Sequence, residues 1–313
     1  MNPKPLVSIA LCTYNGERFL REQLDSIINQ TYSEIELIAV DDCSTDNTVA
    51  ILEEYAQKFA FVKAFKNEVN LGYIRNFEKA MRLCSGNLIA LSDQDDIWDL
   101  NKIEKLTSAI GNNLLIYHDS EFIDQDGHRL NRKMSDIMNL YRGDEPEVFI
   151  FFNCISGHSI LMKRELIDEV LPFPNAYFHD WWIAYVATNL GNIDFLNETL
   201  VKYRQHEKAD TNILKRERKT DSSKKLSSDQ KQNKKIQWLK SCAEYPKNKN
   251  PELINSIYSE ALKSNDGYIS IKLARLIYKN RKKLFRINKK STFSKLNFLL
   301  KEIWGGEIRR LLS

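Results

Sequence analysis

The chain lacks any CxxC pair: its five cysteines, Cys12, Cys43, Cys84, Cys154 and Cys242, are widely scattered. Such spacing suggests neither a zinc site nor a disulfide framework, and a reducing, cytoplasmic setting is expected. No apolar run approaches the ~20 residues that span a bilayer, so an integral membrane protein is not expected. Residues 1 to 5 are polar and proline-containing, without the basic stretch and apolar core of a secretory leader. P-loop and GxGxxG patterns are missing, which lowers the ATPase and dinucleotide-enzyme readings. No repeat of fixed period is visible.

What is present is a chain of 313 residues, 42% hydrophobic and 11% aromatic, long enough for one well-buried core and a smaller appended region. Its net charge of +4 hides an asymmetry. From Lys215 onward there are 26 Lys plus Arg against 9 Asp plus Glu, about +17, whereas the first 214 residues hold 20 basic and 33 acidic side chains, about −13. An acidic body is joined to a basic tail, and the two parts imply different partners.

Short apolar runs alternate with helical patterns in the front half. Leu6 to Thr13 reads as a strand, and Glu17 to Gln30, with Phe19, Leu20, Leu24, Ile27 and Ile28 on one face, as a helix. The unit recurs as Ile35 to Val40 with a helix from about Thr45 to Phe59, then Phe61 to Phe65 with a helix through Arg75 to Leu83, then Asn87 to Ser92. That order predicts an α/β fold with a mostly parallel sheet covered on both faces. Past Leu114 the strands, Leu115 to Ile123 and Ile160 to Lys163, are more widely spaced, and a mixed sheet is expected. Residues 208 to 235 are rich in Lys, Ser, Asp and Gln and read as a linker. The expected division is an α/β domain over 1–214, a basic linker or mobile loop over 215–235 and a basic helical region over 236–313. In that region Pro251 opens one helix, and two more are expected near Ile269 to Phe285 and Phe293 to Leu312.

In an open α/β sheet, ligands collect beyond the carboxyl ends of the strands. Three such ends are polar here: Thr13-Tyr14-Asn15-Gly16, Asp41-Asp42-Cys43-Ser44 and Ser92-Asp93-Gln94-Asp95-Asp96. Ser44, Thr45 and Asp46 read first as helix caps, and Asp42 as a ligand contact. Three carboxylates within four residues, directly after the buried run Leu88 to Leu91, repel one another unless a cation relieves them. Oxygen ligands of this kind suit Mg²⁺ or Mn²⁺. The competing structural reading is an acidic turn capping a helix over Asp99 to Ile110.

Taken together, Val7-Ser-Ile-Ala-Leu-Cys-Thr-Tyr-Asn15, Val40-Asp-Asp-Cys-Ser-Thr-Asp-Asn-Thr48, Asn70-Leu-Gly72 and Ser92-Asp-Gln-Asp-Asp96 resemble the family 2 glycosyltransferases of the GT-A fold, over roughly residues 5 to 206. The resemblance implies a Rossmann-like, mainly parallel mixed sheet flanked by helices, with a helical region after it. It makes Asp42 a contact to the base or ribose and Asp93 with Asp95 the DXD motif for metal and diphosphate. Thr13, Tyr14, Asn15, Asn70, Gly72, Arg75, Gln94, Trp181 and Arg204 join the expected nucleotide-sugar contacts. A narrower resemblance, through Asn153-Cys-Ile-Ser-Gly-His158, Pro172-Phe-Pro174, His179-Asp-Trp-Trp182 and Tyr203-Arg-Gln-His206, is to rhamnosyltransferases of bacterial surface polysaccharide assembly, with dTDP-L-rhamnose as donor.

By the same resemblance Asp180 is the carboxylate base that takes the acceptor's proton during an inverting displacement, a contribution of ~10²–10⁴-fold for a positioned base. Its structural alternative is the cap of a helix from Trp181 to Leu190. His206 is a candidate third metal ligand, and Arg204 beside it a phosphate partner. His158 and His179 are pocket-lining candidates, and Trp98, Trp181 and Trp182 either stack on sugar or fill the core. The basic tail either packs on the body or meets anionic lipid near a lipid-linked acceptor. Nucleic acid is not expected as a partner, since no recognised motif accompanies the tail. Alternatives to the rhamnosyl reading are a UDP-hexose transferase and a catalytically silent nucleotide-sugar-binding scaffold.

Overall fold

Alternation along the first strands divides the interior in two, as seen in a computed structural model that describes residues 3–174, 177–206, 214, 227–265 and 270–303. All of β1 (Val7–Thr13) is buried, with Val7, Ile9 and Leu11 entering one apolar cluster and Ala10 and Cys12 the other. Strand β2 (Ile35–Asp41) splits in the same way, Leu37 and Ala39 to one side and Ile38 and Val40 to the other. Side chains of period two on a sheet with both faces covered give this pattern.

The remaining strands are β3 (Val62–Lys66), β4 (Leu88–Ser92), β5 (Ile97–Trp98), β6 (Leu115–Ile123), β7 (Arg129–Lys133), β8 (Leu161–Lys163) and β9 (Ile193–Arg204). Their order is β3-β2-β1-β4-β8-β6-β9-β5, with β7 paired to β6. Strands β3, β2, β1 and β4 are parallel; β8 runs antiparallel between β4 and β6; and β6 pairs with β9 in parallel. The expected mixed, mainly parallel sheet is present. Chain direction reverses its lateral march between β1 and β4, and at such a switch point a crevice opens past the strands' carboxyl ends.

Helices α1 (Glu17–Ile28) and α2 (Thr48–Lys58) cover the first cluster with Leu20, Leu24, Ile27, Ile51 and Leu52, and α3 (Tyr73–Leu83) covers the second with Phe77, Ala80 and Met81. Helix α4 (Lys102–Ala109) returns to the first side through Ile103 and Leu106. Two single-turn helices follow, α5 (Met134–Ile137) and α6 (Ile167–Val170), and then α7 (His179–Leu190), buried almost all round.

The tail forms α8 (Ser228–Glu244), α9 (Pro251–Asn265), α10 (Ile271–Lys279), the single turn α11 (Arg281–Leu284) and α12 (Thr292–Ile303). Helix α8 starts where Ser227 and Gln230 form a reciprocal capping box, so the last eight residues of the expected linker are helical. Residues 215–226 of that linker, and 304–312 of the last expected helix, lie outside the described residues.

The tail packs on the body. Trp238, Leu239, Cys242, Ile254, Ile257, Leu273 and Ile277 belong to the same apolar cluster as α3 and α7. Trp238 is 1% exposed, donates from Nε1 to the Ile150 carbonyl at 2.9 Å, and lies 5.1 to 6.2 Å from the rings of Tyr177, Trp181, Trp182 and Tyr185. Other apolar side chains of the tail remain exposed, Ile271 and Tyr278 on α10 and Phe293, Leu296 and Leu300 on α12. Among the described residues no helix is long and apolar enough to cross a membrane.

Truncating Trp238 empties the junction of tail and body. Trp238→Ala is expected to lower the unfolding free energy by about 3–5 kcal/mol, read from urea denaturation. A loss below about 1 kcal/mol, the level of an ordinary substitution, means that the tail docks loosely.

Candidate active site

The loops after β1, β2 and β4 are stitched together at the switch point. Gln94 forms a two-point pair with the backbone of Tyr14, accepting from its N–H at 2.8 Å and donating to its carbonyl at 3.0 Å. Gly16 makes room for this, since a Cβ there would sit 2.2 Å from Gln94 Oε1. Asn15 takes a positive φ of 47° and accepts from Thr45 N–H at 2.9 Å, while its own N–H donates to Ser44 Oγ at 2.8 Å. Ser44 and Thr45 therefore tie two strand ends together, and the helix cap expected of them belongs to Asn47 instead. Asp46 does bond to the first turn of α2, at Thr48 N–H, but also receives Glu17 N–H.

Asp42, 2% exposed, shapes the neighbouring loop. Its carboxylate accepts from Asn67 Nδ2, Leu71 N–H and Gly72 N–H, each at 2.8 Å, and its carbonyl accepts from Asn70 Nδ2 at 3.1 Å. Gly72, at φ 79°, holds the left-handed backbone that aims the N–H at Asp42 and starts α3. Arg75, one turn into α3, is ion-paired with Glu78.

The acidic motif divides. Asp95 Oδ2 lies 2.7 Å from His206 Nε2, with both side chains less than a fifth exposed. Asp96, 0% exposed, accepts Arg204 N–H on Oδ1 at 3.0 Å and turns Oδ2 toward His158 Nδ1 at 3.4 Å. Asp93 stays 41% exposed, its Oδ2 3.9 Å from the same His158 nitrogen. Burial first, then the charges of Asp95 and Asp93, push the Asp96 carboxyl well above the usual range. Burial likewise drives the buried Lys102 ammonium down, opposed by Asp96 and Asp93. His158 is lowered to about 3 by burial and by Lys102, whose Nζ donates to its carbonyl at 2.6 Å. The motif does not cap α4, whose cap position is Asn101.

Asp180 lies in the first turn of α7, its Oδ1 accepting Trp181 N–H at 2.6 Å and Asn153 Nδ2 at 3.4 Å. A Cβ on Gly157 would sit 3.0 Å from Nε2 of His179, the residue before Asp180, and the residue after Gly157 is the His158 whose ring faces Asp93 and Asp96. The start of α7 therefore lies against the Gly157–Ser159 turn on which the acidic motif rests. Burial raises the Asp180 carboxyl to about 7 against the lowering effect of backbone N–H groups. The cap position of α7 is Phe178, so Asp180 lies inside the first turn and not at the cap expected for a helix starting at Trp181.

Residues 8–171 match the family model described as glycosyl transferase family 2. The chain belongs to that family. An uncharacterised glycosyltransferase of Haemophilus influenzae is 30% identical over 233 residues, 71% of this chain and 72% of the relative. One from Methanocaldococcus jannaschii is 31% identical over 210 residues, 64% and 71% of the two chains. Among solved structures, S. aureus TarS 1-349 in complex with UDP-GlcNAc superposes with a TM-score of 0.60 at 17% identity, covering 89% of this chain and 81% of that one. A longer TarS structure is covered over 43% of its length. The mannosyltransferase PcManGT from Pyrobaculum calidifontis, in complex with GDP-Man and Mn2+, gives 0.53 at 15% identity, covering 99% and 88%. The fold is GT-A, with a helical C-terminal region.

Within this family 2 glycosyltransferase several residues expected to touch ligand hold the protein together instead. Thr13 is 2% exposed with its hydroxyl on Asp41, and both ends of the Gln94 amide are engaged by Tyr14. Asp42 organises the 70–72 loop. Arg204 is a correction: its guanidinium, 2% exposed, donates to the carbonyls of Asp95 at 2.8 Å and Gln125 at 3.1 Å, pairs with Glu22, and stacks on Phe19 at 4.6 Å. Each of its three nitrogens already has an acceptor within the protein. Trp98 and Trp182 are core, while Trp181 donates to the Phe149 carbonyl and packs on Trp238. Tyr14, 48% exposed, and Asn15, Asn70 and Asp93 line the open side.

Two further groups escaped the sequence reading. Asp96 and His158 approach each other only through the fold, and the separate cluster of Asp124, Asp126 and His128 is an exposed turn in which Asp124 caps the N–H groups of the other two. Replacing the Arg204 fork by the point charge of Arg204→Lys is expected to cost about 2 kcal/mol of stability, read from the urea midpoint. An unchanged midpoint would show that the guanidinium is not the clamp described.

Proposed function

We propose that the chain is an inverting, metal-dependent glycosyltransferase that moves a sugar from a nucleoside diphosphate donor to a hydroxyl of a glycan acceptor. The single observation that carries the reading is that the Gly157–Ser159 turn brings the start of α7, where burial raises the Asp180 carboxyl to about 7, beside the His158 ring that faces Asp93 and Asp96. A base near neutral pH and a carboxylate cluster for a charged leaving group are what glycosyl transfer to a hydroxyl requires.

The residues fit a divalent cation. Asp95 and His206 present an oxygen and a nitrogen 2.7 Å apart, close to the roughly 3 Å that separates neighbouring ligands on an octahedral ion with bonds of ~2.1 Å. They would hold Mg²⁺ or Mn²⁺ together with Asp93 once its exposed carboxylate turns from Asp96 and His158, with which it groups here, and the ion would supply charge neutralisation at the departing diphosphate. Tyr14, Asn15 and the loop from Asn70 to Arg75 border the place for the nucleotide. Asp180 accepts the acceptor's proton as the new oxygen–C1 bond forms and the C1–oxygen bond to the diphosphate breaks, with inversion at C1. Burial of Asp180 against α7 and Asn153 keeps the carboxylate basic enough for this step.

For the donor we favour dTDP-L-rhamnose, supported by the likeness of Asn153 to His158, His179 to Trp182 and Tyr203 to His206 to rhamnosyltransferases. The acceptor in this reading is a lipid-linked glycan of bacterial surface polysaccharide, met at the cytoplasmic face of the membrane. Exposed Ile271, Tyr278, Phe293, Leu296 and Leu300 beside Lys272, Arg275 and Lys279 support a peripheral lipid contact, since such faces insert apolar side chains while the cations meet anionic headgroups.

A panel of nucleotide sugars tests the transfer: turnover with dTDP-L-rhamnose supports the donor named, turnover with a UDP-hexose alone replaces it, and no turnover with any donor removes the enzyme reading. Since protonated Asp180 cannot accept a proton, kcat/KM should rise with pH through about 7 and level off above it. Asp180→Asn should lose about 10²–10⁴-fold in turnover while nucleotide binding persists. Undiminished turnover would refute the base assignment. Vesicles containing anionic lipid should retain the chain at low salt and release it at high salt, and Phe293→Glu with Leu296→Glu should weaken retention. A chain that ignores such vesicles at low salt has no lipid contact of this kind.

A further inference from the structure

Helix α1 carries one buried aromatic ring outside the apolar core. Leu20, Leu24 and Ile27 of this helix enter the cluster beneath it, but Phe19, 9% exposed, belongs to neither cluster. Its ring meets two cations and an imidazole instead. The guanidinium carbons of Arg18 and Arg204 lie 4.9 and 4.6 Å from its centroid, and the ring of His206 lies 5.1 Å away at an interplanar angle of 48°. Centroid separations of about 4.5–7 Å are those at which offset and tilted rings attract one another.

Arg204 and His206 are two residues apart, and the Gln205 N–H between them still bonds to the Ile123 carbonyl at 2.9 Å. Side chains of period two therefore put both on the face that meets Phe19. They also close on Asp95 from different ends: Arg204 Nε donates to its carbonyl at 2.8 Å, and His206 Nε2 lies 2.7 Å from its Oδ2. The guanidinium is anchored a second and a third time, on Gln125 and Glu22, and is a fixed wall. Phe19 stands as a spacer between that wall and the imidazole. A histidine that ligates a metal does so along one lone pair, so its ring has to be aimed as well as placed, and altering the groups that aim it typically costs about 10–100-fold in metal affinity.

We propose that Phe19 is a positioning residue for the divalent cation: backed by Arg204, its ring holds the His206 imidazole at the spacing from Asp95 that a shared ion requires. The inference rests on the proposed function, which places the cation at Asp95 and His206. Phe19 touches neither donor nor cation in this account and acts through His206 alone.

A ring that merely fills space would not tie its effect to one histidine. Mn²⁺ binding in the presence of dTDP, followed by the electron paramagnetic resonance of the free ion, needs no acceptor and separates the two cases. Phe19→Leu, which keeps an apolar side chain and removes the flat face, should weaken Mn²⁺ binding about tenfold. Phe19→Tyr keeps the face and should stay within about twofold of the wild type. In a His206→Ala background the Phe19→Leu step should shrink below about twofold, since two residues acting through one contact are not additive.

Equal Mn²⁺ affinity in wild type and Phe19→Leu overturns the proposal, as does an undiminished loss in the His206→Ala background or a Phe19→Tyr chain that binds no better than Phe19→Leu. Should Phe19→Leu fail to fold, Phe19→Met decides, because its flexible side chain fills an irregular gap without supplying a flat face. Weakened binding in that variant supports the proposal and unchanged binding overturns it. A wild-type chain that binds no Mn²⁺ with dTDP sinks the cation of the proposed function and this inference together. Binding that survives His206→Ala unchanged removes His206 from the cation site and this inference with it, whereas wild-type binding with a silent Phe19 sinks this inference alone.

Discussion

Three carboxylates within four residues cannot all remain ionised side by side at the end of a buried strand, and the organisation of the cleft follows from giving Asp93, Asp95 and Asp96 different fates. Asp96 is taken fully into the protein, where burial and its two neighbours drive it toward the neutral form and a backbone N–H occupies one oxygen. Asp95 is turned to His206. Asp93 is left half exposed, above His158. Repulsion that would spread the motif apart is relieved by giving the three carboxylates three different environments.

Long-range contacts enforce that division. Arg204, at the end of β9, reaches back to the Asp95 carbonyl while its own N–H holds Asp96, so the last strand of the sheet and the loop after β4 are locked to one another. Gln94, inside the motif, grips the backbone after β1 instead of pointing at ligand. The turn from Gly157 to Ser159 closes the circuit, lying against His179 at the start of α7 and facing Asp93 and Asp96 through His158. The loop after β4 and the start of α7 thus meet the same turn, and the antiparallel strand β8 that follows it is seated beside β4.

Much of this was legible in the residues. Short apolar runs gave the strands, the helix faces of α1 and α3 followed their apolar spacing, and the polar strand ends lie at one edge of the sheet. The pairing of Asp95 with His206 was visible as a motif, though 111 residues separate them. What sequence could not show was which polar side chains are turned inward. Arg204, Gln94 and Thr13 have the chemistry of ligand contacts, and only packing reveals that their donors and acceptors are already engaged. Asp96 and His158 were hidden for the opposite reason: each is unremarkable alone, and their meeting depends on β8 lying between β4 and β6. The tail was misjudged at its start because Lys, Ser and Gln between 228 and 235 resemble a linker, whereas a capping box at Ser227 begins a helix there.

The central claim is that the Asp93–Asp95 turn and Asp180 face one another across a donor. A crystal structure of the chain with Mn²⁺ and a non-transferable nucleoside diphosphate sugar tests it most directly. The account predicts the diphosphate against Asp93, Asp95 and His206, and the Asp180 carboxylate on the face of the anomeric carbon opposite the leaving oxygen, with room for a hydroxyl at the ~3–3.5 Å of an attacking atom. A donor whose anomeric carbon lies remote from Asp180, or whose diphosphate sits away from the acidic turn, contradicts it.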